Sequence, residues 1–196
     1  MPHLFLLLLS LLFVAASCRP ALQTEPDETD YTQWVNPFIG TDYTGNTYPG
    51  AQAPFGMVQL SPDNGLPGWD RISGYFYPDS TINGFSHTHL SGTGAGDLYD
   101  IAFMPYHTPA RVGEGTLGIY SKFDHASEKA YAGYYAVTLK DYDIRVELTA
   151  TPRCGVQRYT FTHENPHVAL KLSRAMNWDQ TRDTYVEVVV SVTLRG

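Results

Sequence analysis

Only two cysteines, Cys18 and Cys154, occur in 196 residues, so neither a disulfide framework nor a thiolate zinc site can be built. Positive charge is scarce and scattered: 13 Lys and Arg stand against 20 Asp and Glu, a net charge of −7. No basic cluster occurs, which excludes a nucleic-acid binder, because phosphate recognition needs concentrated Lys and Arg. No apolar run is long enough for a bilayer-crossing helix of about 20 residues. Charged residues reach only 17% in all, whereas hydrophobic residues reach 43%, with 14 Tyr, 17 Gly and 13 Pro. A sizeable core can be buried, wholesale disorder is excluded, and the composition is that of a turn-rich β protein.

The longest apolar run, Leu4 to Ala16, is interrupted only by Ser10 and has the length of a secretory h-region. Ala15-Ala16-Ser17-Cys18 then puts small residues directly before a cysteine, which resembles the lipobox of bacterial lipoproteins. Residues 1–17 are therefore expected to be a signal peptide and Cys18 a lipidated N-terminus. The mature protein would be exported and held by its lipid at the periplasm or outer membrane. Residues 18–31, carrying Pro20, Glu25, Pro26, Asp27, Glu28 and Asp30, read as an acidic tether. With Cys18 acylated, Cys154 is expected to be a buried, inert thiol.

From Tyr31 to about Tyr106 turn signals are dense: Asn36-Pro37, Tyr48-Pro49-Gly50, Ala53-Pro54-Phe55-Gly56 and Ser61-Pro62-Asp63-Asn64-Gly65. Between them lie short strand candidates at Met57–Leu60, Ser73–Tyr77, Ile82–His89 and Leu98–Pro105. From Gly118 onward alternation predicts strands at Tyr134–Leu139, Ile144–Thr149, Gly155–Thr162, Val168–Ser173 and Tyr185–Leu194. Strands at roughly ten-residue spacing predict an all-β antiparallel sandwich over 32–196, with no helix longer than about three turns. The last strand runs to Gly196 without a closing turn, so the sandwich is expected to be incomplete at its C-terminus and part of a longer chain.

Three segments carry candidate chemistry. Gly68-Trp69-Asp70-Arg71-Ile72-Ser73-Gly74 sets a Trp in a glycine-flanked loop beside an acid and a base. An indole stacks on sugar C–H faces while charged neighbours bond ring hydroxyls, so Trp69 and Asp70 are candidate substrate-binding residues; the alternative is a Trp folded onto the core. Gly84-Phe85-Ser86-His87-Thr88-His89-Leu90-Ser91-Gly92-Thr93-Gly94 sets His87 and His89 at i, i+2, which on a strand share one face. With Asp97 they make at most three metal ligands, short of a closed zinc site, and a purely structural role or the wall of a binding cleft suits them better. No metal ligand set and no catalytic carboxylate pair is identified. Ala175-Met176-Asn177-Trp178-Asp179-Gln180 offers another Trp-Asp turn.

Taken together, Val35–Thr41, Tyr48–Gly56, Gln59–Asp63, Gly68-Trp69-Asp70, His87-Thr88-His89-Leu90-Ser91-Gly92-Thr93-Gly94, Thr149–Arg153 and Asn177–Gln180 resemble the N-terminal domain of glycoside hydrolase family 92. The resemblance runs from about Trp34 to the C-terminus. It implies an exo-acting, calcium-dependent α-mannosidase that hydrolyses terminal α-mannosides of glycans with inversion. The family's sandwich packs on an (α/α)6 barrel that supplies the acid, the base and the calcium site, so this chain alone is expected to be inactive. By the same resemblance Trp69 lines the aglycone side of the cleft, with His87 and His89 in the same wall. Two other readings are a non-catalytic carbohydrate-binding surface lipoprotein and a metal-dependent hydrolase built on His87, His89 and Asp97.

Overall fold

The computed structural model describes residues 29–64, 68–92, 98–113, 118–172 and 183–187. Two units are distinguished, Met1–Tyr31 and Thr32–Gly196. The expected signal peptide, Cys18, Asp97 and the Asn177–Gln180 turn lie outside the described residues.

Among the described residues twelve strands follow in chain order: β1 Ala51–Gln52, β2 Gln59–Asn64, β3 Thr81–Ser86, β4 Ala102–His107, β5 Val112–Gly113, β6 Gly118–Ile119, β7 Ser121–Lys122, β8 Lys129–Tyr131, β9 Tyr134–Leu139, β10 Ile144–Ala150, β11 Gly155–Thr160 and β12 Pro166–Lys171. All pairings are antiparallel. One sheet runs β1-β2-β3-β4-β12 with β7 beside β3; the second runs β11-β10-β9-β8; β5 and β6 form a ribbon. Among the described residues helix is limited to single 3-10 turns at Tyr31–Trp34, Trp69–Arg71 and His125–Ser127.

Strict alternation builds the inter-sheet core. On β10, Ile144, Val146 and Leu148 are buried while Arg145, Glu147 and Thr149 point away. Their cross-strand partners on β9 are Leu139, Val137 and Tyr135, in register on the same face. Leu60, Ile82, Phe85 and Met104 of the first sheet meet them to close one apolar cluster. Truncation of Leu148 to Ala is expected to cost about 2–5 kcal/mol, since a side chain held from both sheets leaves a cavity neither can fill. Urea denaturation with an unchanged m-value measures it.

Four expectations need correction. Pro62, Asp63 and Asn64 lie in β2 rather than in a turn. Proline is tolerated because β1 is only two residues long and has ended before the position facing Pro62, whose missing N–H breaks no ladder. Ser73–Tyr77 is turn and loop, its residues spent on bonds such as Ser73 Oγ to the Thr47 carbonyl at 3.0 Å. Cys154 is exposed, not buried; it ends the β10–β11 turn, where its N–H bonds Thr151 Oγ1 at 3.0 Å and its side chain faces outward. Of the expected last strand only Tyr185, Val186 and Glu187 are described, and they are not in a strand.

Candidate functional site

Pro62 and Phe85 face each other across β2 and β3, with Phe85 in the apolar core. Ser61, Asp63 and Ser86 therefore point to the opposite side of the sheet. That side is not open to solvent, for all three are fully buried. A roof of loops covers them, tied down by Asn64 N–H to the Gly74 carbonyl (2.9 Å) and Gly92 N–H to the Asn46 carbonyl (2.7 Å). The sandwich thus carries a second interior layer, and this one is polar.

His89 stands at its centre. Nε2 lies 2.9 Å from Asp63 Oδ1 and Nδ1 lies 2.8 Å from the Gln59 carbonyl, while Ser86 Oγ donates to Asp63 Oδ1 at 2.9 Å. Both side chains are shut off from water. Tyr48 and Tyr99 flank the imidazole at 5.1 and 5.4 Å between ring centres. Tyr99 donates its hydroxyl to the Ile72 carbonyl, and burial pushes the Tyr48 phenol up to about 12. A charged or polar pair at such a depth persists only when its bonds are made. Those of Asp63 Oδ1 and of both ring nitrogens are made here, and His89 holds the loop roof onto the sheet.

His87 is placed elsewhere. β3 ends at Ser86, so neither histidine is on a strand and the expected shared face is lost. His87 Nδ1 lies 3.0 Å from the Ile101 carbonyl, and its ring meets Phe103 edge-on at 5.6 Å. Together with Phe103, Gly155, Gln157, Tyr159 and Val168 it lines an open cleft of about 370 Å3. The two rings meet different groups, and Gln59 links the two residues through its backbone: its N–H donates to the His87 carbonyl at 2.9 Å and its carbonyl meets His89 Nδ1.

Trp69 opens the 3-10 turn that Asp70 continues and Arg71 closes. The turn is pinned by Arg71, whose Nε and Nη2 each lie 2.7 Å from an oxygen of Asp79, with the guanidinium 4.7 Å above the Phe76 ring. Trp69 is 51% exposed, so it is not the core anchor that was its alternative reading. Three residues after Arg71, Gly74 touches the roof directly: a Cβ there would lie 2.8 Å from His89 Cδ2. The Gly68–Gly74 loop therefore converges on His89. Sequence reasoning missed Asp63, Ser86 and Tyr99 as the partners of His89. The available signal was the period-two placement of Ser61 and Asp63, masked by a turn-like Pro-Asp-Asn.

Among the described residues no group of three or more His, Cys, Asp or Glu could hold a metal ion. They do not fit calcium, which takes six to eight oxygens. No described helix is long and apolar enough to cross a membrane.

A family model described as the glycosyl hydrolase family 92 N-terminal domain matches residues 34–196. The fold is similar to that of a family 92 α-mannosidase from Bacteroides thetaiotaomicron solved with mannoimidazole. That likeness has a TM-score of 0.70 and 42% identity, and covers 74% of this chain and 20% of that one. An inverting family 92 mannosidase of the same organism is 30% identical with a TM-score of 0.58, over 71% of this chain and 19% of that one. A protein of Arthroderma benhamiae described as an uncharacterized secreted glycosidase is 30% identical over 145 residues, 70% of this chain and 18% of that protein. The chain spans about a fifth of the length of these relatives.

Proposed function

The chain belongs to glycoside hydrolase family 92 through its N-terminal domain, and from that premise we propose that it is the sandwich portion of an exported α-mannosidase. The substrate class is glycans ending in α-mannose. Inversion needs a general acid and a general base about 6.5–9.5 Å apart with a water between them. In this reading both come from an (α/α)6 barrel C-terminal to the sandwich, as does the calcium site. The sandwich contributes the aglycone side of the cleft. Export through a signal peptide and a lipid on Cys18 complete the proposal.

One observation carries the sandwich's part: Trp69 is half exposed on a turn that an ion pair and a cation–π contact hold still. An aromatic ring kept rigid before binding loses little entropy on stacking a sugar. His89 drops out of the contact set, because both its ring nitrogens are engaged and its side chain is sealed. It acts by positioning the loop. Asp70, beside Trp69, and His87 remain proposed contacts at the rim.

The chain alone should release no mannose from an α-mannoside, whereas the enzyme with its barrel should. In that enzyme Trp69→Ala should weaken substrate binding by roughly 1–3 kcal/mol, the range for losing an aromatic platform, with the unfolding midpoint unchanged. Mannose release by the isolated chain, or a Trp69→Ala enzyme with unaltered KM and kcat, would refute this assignment. Binding of mannosides by a chain whose gene encodes no barrel would favour a non-catalytic carbohydrate-binding protein instead.

A further inference from the structure

A cleft of about 340 Å3 lies between the Asn36–Asp42 turn and the His125–Ser127 turn, lined by Asn36, Phe38, Thr41, Asp42, Tyr77, His125 and Glu128. Its size is that of a small-molecule pocket, and Trp69 does not line it. The floor is a carboxylate, since the Glu128 side chain is only 1% exposed. Three donors converge on it: Tyr75 Oη at 2.9 and 3.0 Å, Tyr135 Oη at 2.5 Å and His125 Nδ1 at 2.5 Å. Burial, and then the charge of Glu128, hold both phenols well above the ordinary tyrosine range. They stay protonated and donate.

A carboxylate satisfied in this way has no bond to spare for a ligand. What it does is fix His125 through Nδ1, 2.5 Å from Oε2, so that Nε2 is the ring nitrogen not engaged with Glu128 on a side chain that lines the cleft. The ring is stacked on Tyr77 at 4.0 Å and abutted by Phe123 at 5.1 Å, so its plane is set too. Phe38, edge-on to Tyr77 at 6.0 Å, supplies an apolar face. On the near wall Asn36 Oδ1 is used by the Phe38 N–H and Asp42 Oδ1 by the Tyr43 N–H. Asn36 Nδ2, Asp42 Oδ2 and His125 Nε2 have no partner among the described residues.

We propose that this cleft is a saccharide subsite in which those three atoms bond the hydroxyls of a pyranose ring laid against Phe38 and Tyr77. The pattern is one amide donor, one carboxylate acceptor and one imidazole nitrogen around aromatic faces. It suits a neutral polyhydroxylated ligand, whose hydroxyls both donate and accept. An anion would meet Asp42 and Glu128 with no Lys or Arg lining the pocket. The ligand class rests on the mannosidase reading; the location rests on the geometry alone.

Titrating the full chain with methyl α-mannoside, and separately with calcium chloride, tests it by the imidazole resonances of His125 and the indole resonance of Trp69. The His125 signals should move saturably with the glycoside, and should do so equally in Trp69→Ala. His125→Asn keeps an amide donor near Glu128 but removes Nε2, and Asn36→Ala removes an exposed donor outside the core. Each should weaken that binding about tenfold, the effect of one lost bond, read from the remaining pocket resonances. A shift of Trp69 without any at His125 overturns the subsite and leaves the family reading standing. Shifts at His125 without any at Trp69 support the subsite against the Trp69 assignment. Shifts with calcium alone, or glycoside binding that neither variant weakens, overturn the subsite as well.

Discussion

Asp63→Ala is expected to cost roughly 3–5 kcal/mol, the range for stripping one partner from a buried ionic or strongly polar pair. Asp63 is fully buried, and its Oδ1 accepts from Ser86 Oγ and faces His89 Nε2, both at 2.9 Å. Alanine leaves an imidazole and a hydroxyl without their acceptor in a space roofed by Tyr99 and Tyr48, where water has no way in. A domain stable by about 5–15 kcal/mol cannot lose that much without a visible shift in its denaturation midpoint. Asp63→Asn keeps an oxygen in place and should cost less. The solvent-facing pair Glu147–Arg158, 2.6 Å apart, is the control. Tyr134 and then Arg158 hold the Glu147 carboxyl below its usual range, yet Glu147→Ala should leave the midpoint close to the parent's, because water replaces what the partner gave. A midpoint for Asp63→Ala no lower than that control would show the polar layer to be dispensable.

The same contrast between a buried polar layer and a solvent-facing one decides what could be read without coordinates. The strands β9 to β11 were legible at their starts, Tyr134, Ile144 and Gly155. One face of each meets the apolar core and the other meets water, so the period-two pattern is written plainly in residue type. The first sheet was legible only in part: the expected Ile82–His89, Leu98–Pro105 and Val168–Ser173 overlap β3, β4 and β12, but β2 and β3 are buried on both faces, one apolar and one polar, which blurs where they end. Pro62-Asp63-Asn64 in β2 then reads as a turn, and Ser86 to His89 reads as strand continuing past its end. Burial of a polar group against another polar group leaves a faint periodic trace, here Ser61 and Asp63, which the turn-forming residues between and after them mask. Trp69 was legible as an exposed ring in a glycine-flanked loop. The Glu128 cleft was not, since the His125–Glu128 turn, Tyr77 and Asn36 come from three separate stretches that only the packing brings together. Membership in the family was readable because it rests on local motifs, which need no tertiary inference.

Gly74→Ala should be about as damaging as losing Asp63, for a different reason, and should reach the proposed site as well. Gly74 has φ of +85°, a region that costs a side chain roughly 1–2 kcal/mol. Its new Cβ would lie 2.6 Å from Tyr99 Cε1 and 2.9 Å from His89 Nε2, and such overlap in a packed interior adds typically about 1–3 kcal/mol. Neither neighbour can retreat: Tyr99 is bonded to the Ile72 carbonyl and His89 to both Asp63 and Gln59. The loop must lift instead. Gly74 N–H bonds the Arg71 carbonyl at 2.8 Å, so lifting it moves the turn that presents Trp69. In the enzyme with its barrel, Gly74→Ala should therefore lower the denaturation midpoint and also raise KM toward that of Trp69→Ala. Gly133→Ala isolates the backbone contribution, because Gly133 has φ of +77° and a Cβ there would meet nothing within 4 Å. The difference between the two midpoints measures the contact with His89 and Tyr99. Equal midpoints, with KM untouched in both, would mean that the roof yields freely and that Trp69 is positioned by the Arg71–Asp79 pair alone.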